Sequence, residues 1–145
     1  MNHHQDLVYQ AIRQLQMLST IFIKKRRELA GRVGLTEAQW RVLDEIGHND
    51  FMPSLFASER ENTKAAISKT LRQLTDAGLI TVEISREDAR QRKYTLTAEA
   101  RQKLDELTRL RTEAVEKVWM PIDQKLLEPT IAFNEALIEN LKRYH

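Results

Sequence analysis

The sequence predicts a mainly α-helical protein with one small β-hairpin, and three observations point that way. Over most of its 145 residues, apolar side chains recur at three- and four-residue steps, the period of helices with one buried face. That period switches only at residues 79–84 and 93–97, where short β-branched stretches alternate instead. Four glycines and three prolines are too few for the turn density of an all-β chain.

Each element has its own signals. Residues 5–30 carry Val8, Ile12, Leu15, Phe22 and Leu29 at helical spacing, with Gly31 and Gly34 marking the end. Lys24, Lys25, Arg26 and Arg27 then fall in the last turn, where cations suit the helix dipole; contact with a phosphate or an acidic partner is the alternative. Thr36-Glu37-Ala38-Gln39 has the form of a capping box, and the helix behind it is expected to bury Trp40, Val42, Leu43 and Ile46 before stopping at Gly47. Pro53 and Ser54 open a short helix with an apolar patch at Leu55, Phe56 and Ala57, and Glu61-Asn62 reads as a turn. Thr63 caps a further helix that runs to about Ala77 and ends at Gly78.

That helix has two unlike sides. Ile67, Leu71 and Leu74 fall within about 60° of one another, whereas Ala65, Ser68, Lys69 and Arg72 share an opposite sector of roughly 100°. The hairpin follows, and its loop from Ser85 to Arg92 carries Arg86, Arg90 and Arg92. Thr97 caps a long helix with Ala100, Leu104, Leu107, Ala114 and Val118 on one stripe, which Pro121 should kink or break. A last helix begins near Pro129 and carries Ile131, Leu137, Ile138 and Leu141.

Composition narrows the function classes. Hydrophobic residues make up 41% and charged residues 30%, as in ordinary globular proteins, and the length suits a single domain, 1–145. No apolar run approaches the roughly 18 residues of a membrane span, and Asp6 and Arg13 interrupt any signal-peptide pattern, so a cytoplasmic location is expected. Without cysteine there is no disulfide framework, thiol sensor or cysteine metal site. His3, His4, His48 and His145 form no cluster at ligand spacing, so neither metal nor cofactor is expected. No phosphate loop, nucleophile elbow or zinc-protease motif is present, which argues against an enzyme.

Charge distribution is more informative than the net value of +2. Residues 1–59 balance 7 basic against 7 acidic side chains and residues 98–145 carry 8 against 9, whereas residues 60–93 carry 8 basic against 5 acidic. The positive excess lies on the segment with the two-sided helix and the arginine loop. A helix fits the DNA major groove, and a cationic hairpin beside it reaches phosphates or the minor groove. Thr63, Lys64, Ala65, Ser68, Lys69, Arg72, Arg86, Arg90 and Arg92 are therefore the candidate DNA-contacting residues. Ser68 and Ala65 are the base-edge candidates, since short side chains permit close approach; Arg86 could instead pair with Glu87 or Asp88.

The order of these elements is that of a winged helix-turn-helix. The run Gly34-Leu35-Thr36, with Gln39, Val42 and Leu43, then Ile67, Leu71, Leu74, Gly78-Leu79-Ile80, Asp88, Arg90 and Leu96-Thr97, resembles the MarR family of bacterial transcription regulators. The resemblance implies a winged core at 34–97 flanked by dimerisation helices at 5–30 and 98–145. It also implies a homodimer on double-stranded DNA at a pseudo-palindromic operator, with Arg90 at the wing tip and Asp88 holding that loop. A small-molecule effector is a further implication, and Met17, Phe22 and Trp40 (with Trp119) are candidates to line its pocket; aromatics at helical spacing are otherwise core. The chain departs from the family pattern at Ala89, where a second wing arginine is common, at Ala100, where glycine is common, and at Arg60 and Asn62. The expected function is a ligand-responsive repressor. Its rivals are a winged-helix module that binds an acidic protein and a nonspecific architectural DNA binder, which lack preference for a DNA sequence.

Overall fold

The computed structural model describes residues 2–48 and 63–144, in two compact units, Met1–Leu107 and Thr108–His145. The expected short helix at Pro53-Ser54, its patch at Leu55, Phe56 and Ala57, and Arg60, Glu61 and Asn62 lie outside the described residues.

In the first unit, α1 (His3–Arg32) starts at a capping box. The Asn2 side chain accepts the Gln5 N–H at 2.8 Å, and the Gln5 side chain accepts the Asn2 N–H at 3.1 Å. The helix runs two residues past the expected end because Gly31 remains helical. The left-handed residue is Gly34, with φ 75°. Leu35 N–H reaches back to the Ala30 carbonyl at 2.9 Å and Gly34 N–H to that of Gly31 at 3.1 Å, a Schellman cap. The Lys24–Arg27 cluster therefore lies before the last turn, whose cation is Arg32. From the far end of the unit, Lys103 Nζ donates to the Val33 carbonyl at 2.6 Å, satisfying one more acceptor at this terminus.

The helix α2 (Glu37–His48) begins as expected: Gln39 N–H donates to Thr36 Oγ1 at 3.1 Å and Thr36 N–H to Gln39 Oε1 at 3.0 Å. Trp40, Val42, Leu43 and Ile46 are buried. The helix ends at His48 rather than Gly47, and packing accounts for the glycine: a Cβ there would sit 3.1 Å from Leu96 Cδ1.

Next come α3 (Lys64–Asp76), β1 (Ile80–Ile84) and β2 (Arg92–Leu96). Gly78, at φ 73°, repeats the cap of α1, with Leu79 N–H on the Leu74 carbonyl at 2.9 Å and Gly78 N–H on that of Thr75 at 3.1 Å. The strands are antiparallel, pairing Ile80 with Leu96, Val82 with Tyr94 and Ile84 with Arg92. Thr97 leaves the strand to become a junction. Its N–H and hydroxyl donate to the Leu79 and Gly78 carbonyls at 3.1 and 2.9 Å, and its oxygen accepts the Ala100 N–H at 3.3 Å. This caps α4 (Ala98–Ala114), whose Ala100 and Leu107 close the core around Trp40, Leu43 and Leu74.

In the second unit, α4 gives way at Val115–Trp119 to a π-helical turn, with Met120 N–H on the Val115 carbonyl at 3.0 Å. The helix thus departs from α geometry six residues before Pro121, and Val118, expected on the apolar stripe, is 61% exposed. After a 3₁₀ turn at Gln124–Leu126, α5 (Leu127–Arg143) starts two residues ahead of Pro129. Pro129 is tolerated there because the first four helical N–H groups lack intrahelical partners anyway. No residue of α5 is buried, and Ile131, Phe133, Ile138 and Leu141 are exposed. None of the described helices is long and apolar enough to cross a membrane.

Candidate nucleic-acid interface

The candidate site is built on α3. The Thr63 hydroxyl accepts the Ala66 N–H at 3.1 Å, so the helix begins where its sequence predicts. Ile67, Leu71 and Leu74 face the core. Thr70 joins them, unforeseen, because its hydroxyl donates to the Ala66 carbonyl at 3.1 Å and carries no unmet bond inward. Lys64, Ala65, Ser68, Lys69 and Arg72 are exposed, which leaves the expected face open to solvent. By helical geometry Asp76, in the final turn, lies on that face too. Gln39 on α2 donates its side-chain N–H to Gln73 Oε1 at 3.3 Å, tying α3 to the helix before it.

The hairpin loop is a built turn. Ser85 N–H donates to the Gln91 carbonyl at 2.9 Å, and Gln91 N–H donates to that of Asp88 at 2.9 Å. Ser85 Oγ accepts from Glu87 and Asp88 N–H at 3.3 and 3.4 Å, and Asp88 Oδ1 accepts the Arg90 N–H at 3.0 Å. Ser85 was not expected to matter; its spacing to Asp88 is the signal of such a turn. Arg92 sits not in the loop but at the start of β2, across from Ile84.

Ion pairs engage several cations outside α3 and the hairpin. Lys25 pairs with Glu28, Arg26 and Arg41 with Glu37, Arg109 and Lys117 with Glu113, and Arg143 with Glu139. Among the described residues, no ion pair engages Lys64, Lys69, Arg72, Arg86, Arg90 or Arg92, so Arg86 joins neither Glu87 nor Asp88. With Lys93 of β2, α3 and the hairpin carry seven cations that have no ion pair among the described residues, and their charge is available to an external anion.

The residues proposed to line a pocket have separate placements. Trp40 is 2% exposed, with the Arg26 guanidinium 3.9 Å over its ring, while Met17 and Phe22 on α1 are 65% and 49% exposed. Arg26 Nε also lies 3.4 Å from Glu37, so this cation of the 24–27 cluster is a tie between α1 and α2. A cavity of ≈ 120 Å³ opens instead between α2 and α3, lined among others by Glu37, Arg41, Ala66 and Thr70. Among the described residues, no three His, Asp or Glu side chains come together as a metal site.

A core-packed helix with an open cationic face, followed by an arginine-tipped antiparallel hairpin, defines a winged-helix protein. The MarR family model matches residues 33–91, which make up most of the winged core. Solved structures extend the likeness beyond the core. A MarR family transcription regulator superposes with a TM-score of 0.83 at 18% identity, covering 98% of this chain and 97% of its own. MarR of Staphylococcus aureus, in complex with salicylate and kanamycin, gives 0.76 at 24% identity, with 98% and 97% covered. MepR of S. aureus, in a complex with DNA, gives 0.71 at 17% identity, with 88% and 94% covered. No curated protein matches the chain in sequence.

Proposed function

We propose that the protein is a sequence-specific regulator of transcription that binds double-stranded DNA as a homodimer on a pseudo-palindromic site. The observation that carries this reading is the solvent-exposed face of α3 beside the arginine hairpin, whose cations have no ion-pair partner among the described residues. On this reading Ser68 and Ala65 meet base edges in the major groove, helped by Thr63 at the helix start. Lys64, Lys69 and Arg72 flank them on phosphates, and Arg86, Arg90 and Arg92 grip the adjoining backbone or minor groove. The structural likeness to MepR, solved with DNA, supports it.

A second copy of the chain suits the apolar side chains that α1 and the second unit each leave in solvent, from Leu7 to Ile23 and from Val115 to Leu141. Residues 1–145 then act as one domain whose helices outside 34–97 hold the dimer. Two-fold symmetry sets the half-sites ~10 base pairs apart, centre to centre. Repression, and its relief by a small molecule that prefers one separation of the two reading heads, complete the proposal; the S. aureus MarR complex with salicylate and kanamycin is the support for a ligand. A regulator of this kind works in the cytoplasm and is not an enzyme.

The test is selection of bound duplexes from a random pool by the purified protein, with light scattering to give its mass. A recurring inverted repeat bound by a dimer is the expected result. A pool that stays unenriched, or a monomer, overturns the reading.

A further inference from the structure

The hairpin carries one side chain that the electrostatic account leaves unused. Its register sets Ile80, Val82 and Ile84 on one face with Leu96, Tyr94 and Arg92 opposite them. Along that face exposure climbs from 2% at Ile80 through 38% at Val82 to 65% at Ile84. The core therefore ends near Val82, yet the apolar pattern continues one step further, into solvent. Ile84 stands directly before the hydrogen-bonded Ser85 turn and across from Arg92, beside arginines that have no ion pair among the described residues. A polar residue there would keep the strand and expose less apolar surface to water.

We infer that Ile84 is a DNA-contacting residue of the wing, packing its side chain on the deoxyribose walls of the minor groove. This rests on the DNA-binding reading above and deepens it. The minor groove is only about 6 Å wide, and its walls are sugar C–H groups below the phosphates. A tip that combines unpaired cations with an exposed branched alkyl group matches both parts of that surface: arginines meet the negative potential, and the isoleucine meets the apolar walls. The contact adds affinity without adding charge.

Absence of charge gives the test its signature. Binding of the duplex that the intact protein selects from a random pool is titrated over a range of salt concentrations, for the parent, Ile84→Val and Ile84→Thr. Both substitutions keep a β-branched residue in the strand. The expected loss is about fivefold for Ile84→Thr and less for Ile84→Val, with the slope of log affinity against log salt unchanged. Calorimetry at several temperatures should give a less negative heat-capacity change of binding for Ile84→Thr, a readout that mere loosening of the hairpin does not supply. Equal affinity for all three proteins, or an affinity loss with the parent heat capacity, overturns the contact while leaving DNA binding intact. Failure of the parent to select any duplex takes down the underlying reading and the contact with it.

Discussion

The Asp88 carboxylate accepts the backbone N–H of Arg90 at 3.0 Å, so the acid of the wing shapes the loop that presents the arginine. Among the described residues, no ion pair joins the two side chains. Charge and geometry then make opposite predictions for this residue. Removing an acid from a DNA-binding loop should strengthen binding if only Coulomb attraction matters. If the hydrogen bond matters more, Asp88→Ala should weaken binding by roughly three- to tenfold, as a loop freed to sample other conformations must be ordered again on DNA. Asp88→Asn keeps an acceptor oxygen and should bind at least as well as the parent. Fluorescence anisotropy with labelled duplex measures all three.

Reader and clamp should separate by substitution. Arg90→Ala should weaken binding to every duplex and lower the salt slope by about one. Ser68→Ala should leave that slope unchanged and narrow the gap between the selected duplex and a scrambled one. Anisotropy titrations over a salt series check both, and the opposite assignment of effects would exchange their roles.

Asp76 marks the far end of the proposed reading face, in the last turn of α3. A carboxylate there repels phosphate, so Asp76→Asn should tighten binding to selected and scrambled duplex alike, by a few-fold at low salt. A change confined to the selected duplex would place Asp76 against a base instead.

Two contacts hold the start of the winged core to its neighbours. Lys103→Met removes the donor to the Val33 carbonyl at 2.6 Å and should cost about 1–3 kcal/mol of unfolding free energy in urea. Arg26→Met removes both the ion pair to Glu37 and the cation over Trp40 and should cost about 1 kcal/mol. Substituting Lys24 or Arg27 in the same way should change stability by less.

Features that depend on neighbouring residues were legible before any coordinates. The Thr63 cap, the Ile67, Leu71 and Leu74 stripe, the Gly78 turn and the Thr36/Gln39 box are all local, and the structure has each. The alternation at 79–84 and 93–97 located the hairpin to within a residue, since its period follows from the pleat. Contacts between distant segments left no such trace. Lys103 and Val33 lie seventy residues apart, and nothing in the 24–27 cluster distinguishes Arg26 from its three neighbours until α1 meets α2. Gly47 looked like a helix stop because close packing against Leu96 and chain termination call for the same residue. Pro121 gave the approximate site of the break but not the π-helical turn ahead of it. The candidate site residues were chosen from a charge pattern, whereas the absence of ion pairs to their cations among the described residues became visible only in three dimensions.

The most direct measurement is the affinity of the purified protein for its selected duplex against a scrambled duplex of equal length at one fixed salt concentration. An outward, unpaired cation-and-hydroxyl face on α3 beside the arginine wing predicts a preference of at least ~10³-fold. Equal affinity for the two duplexes would contradict it.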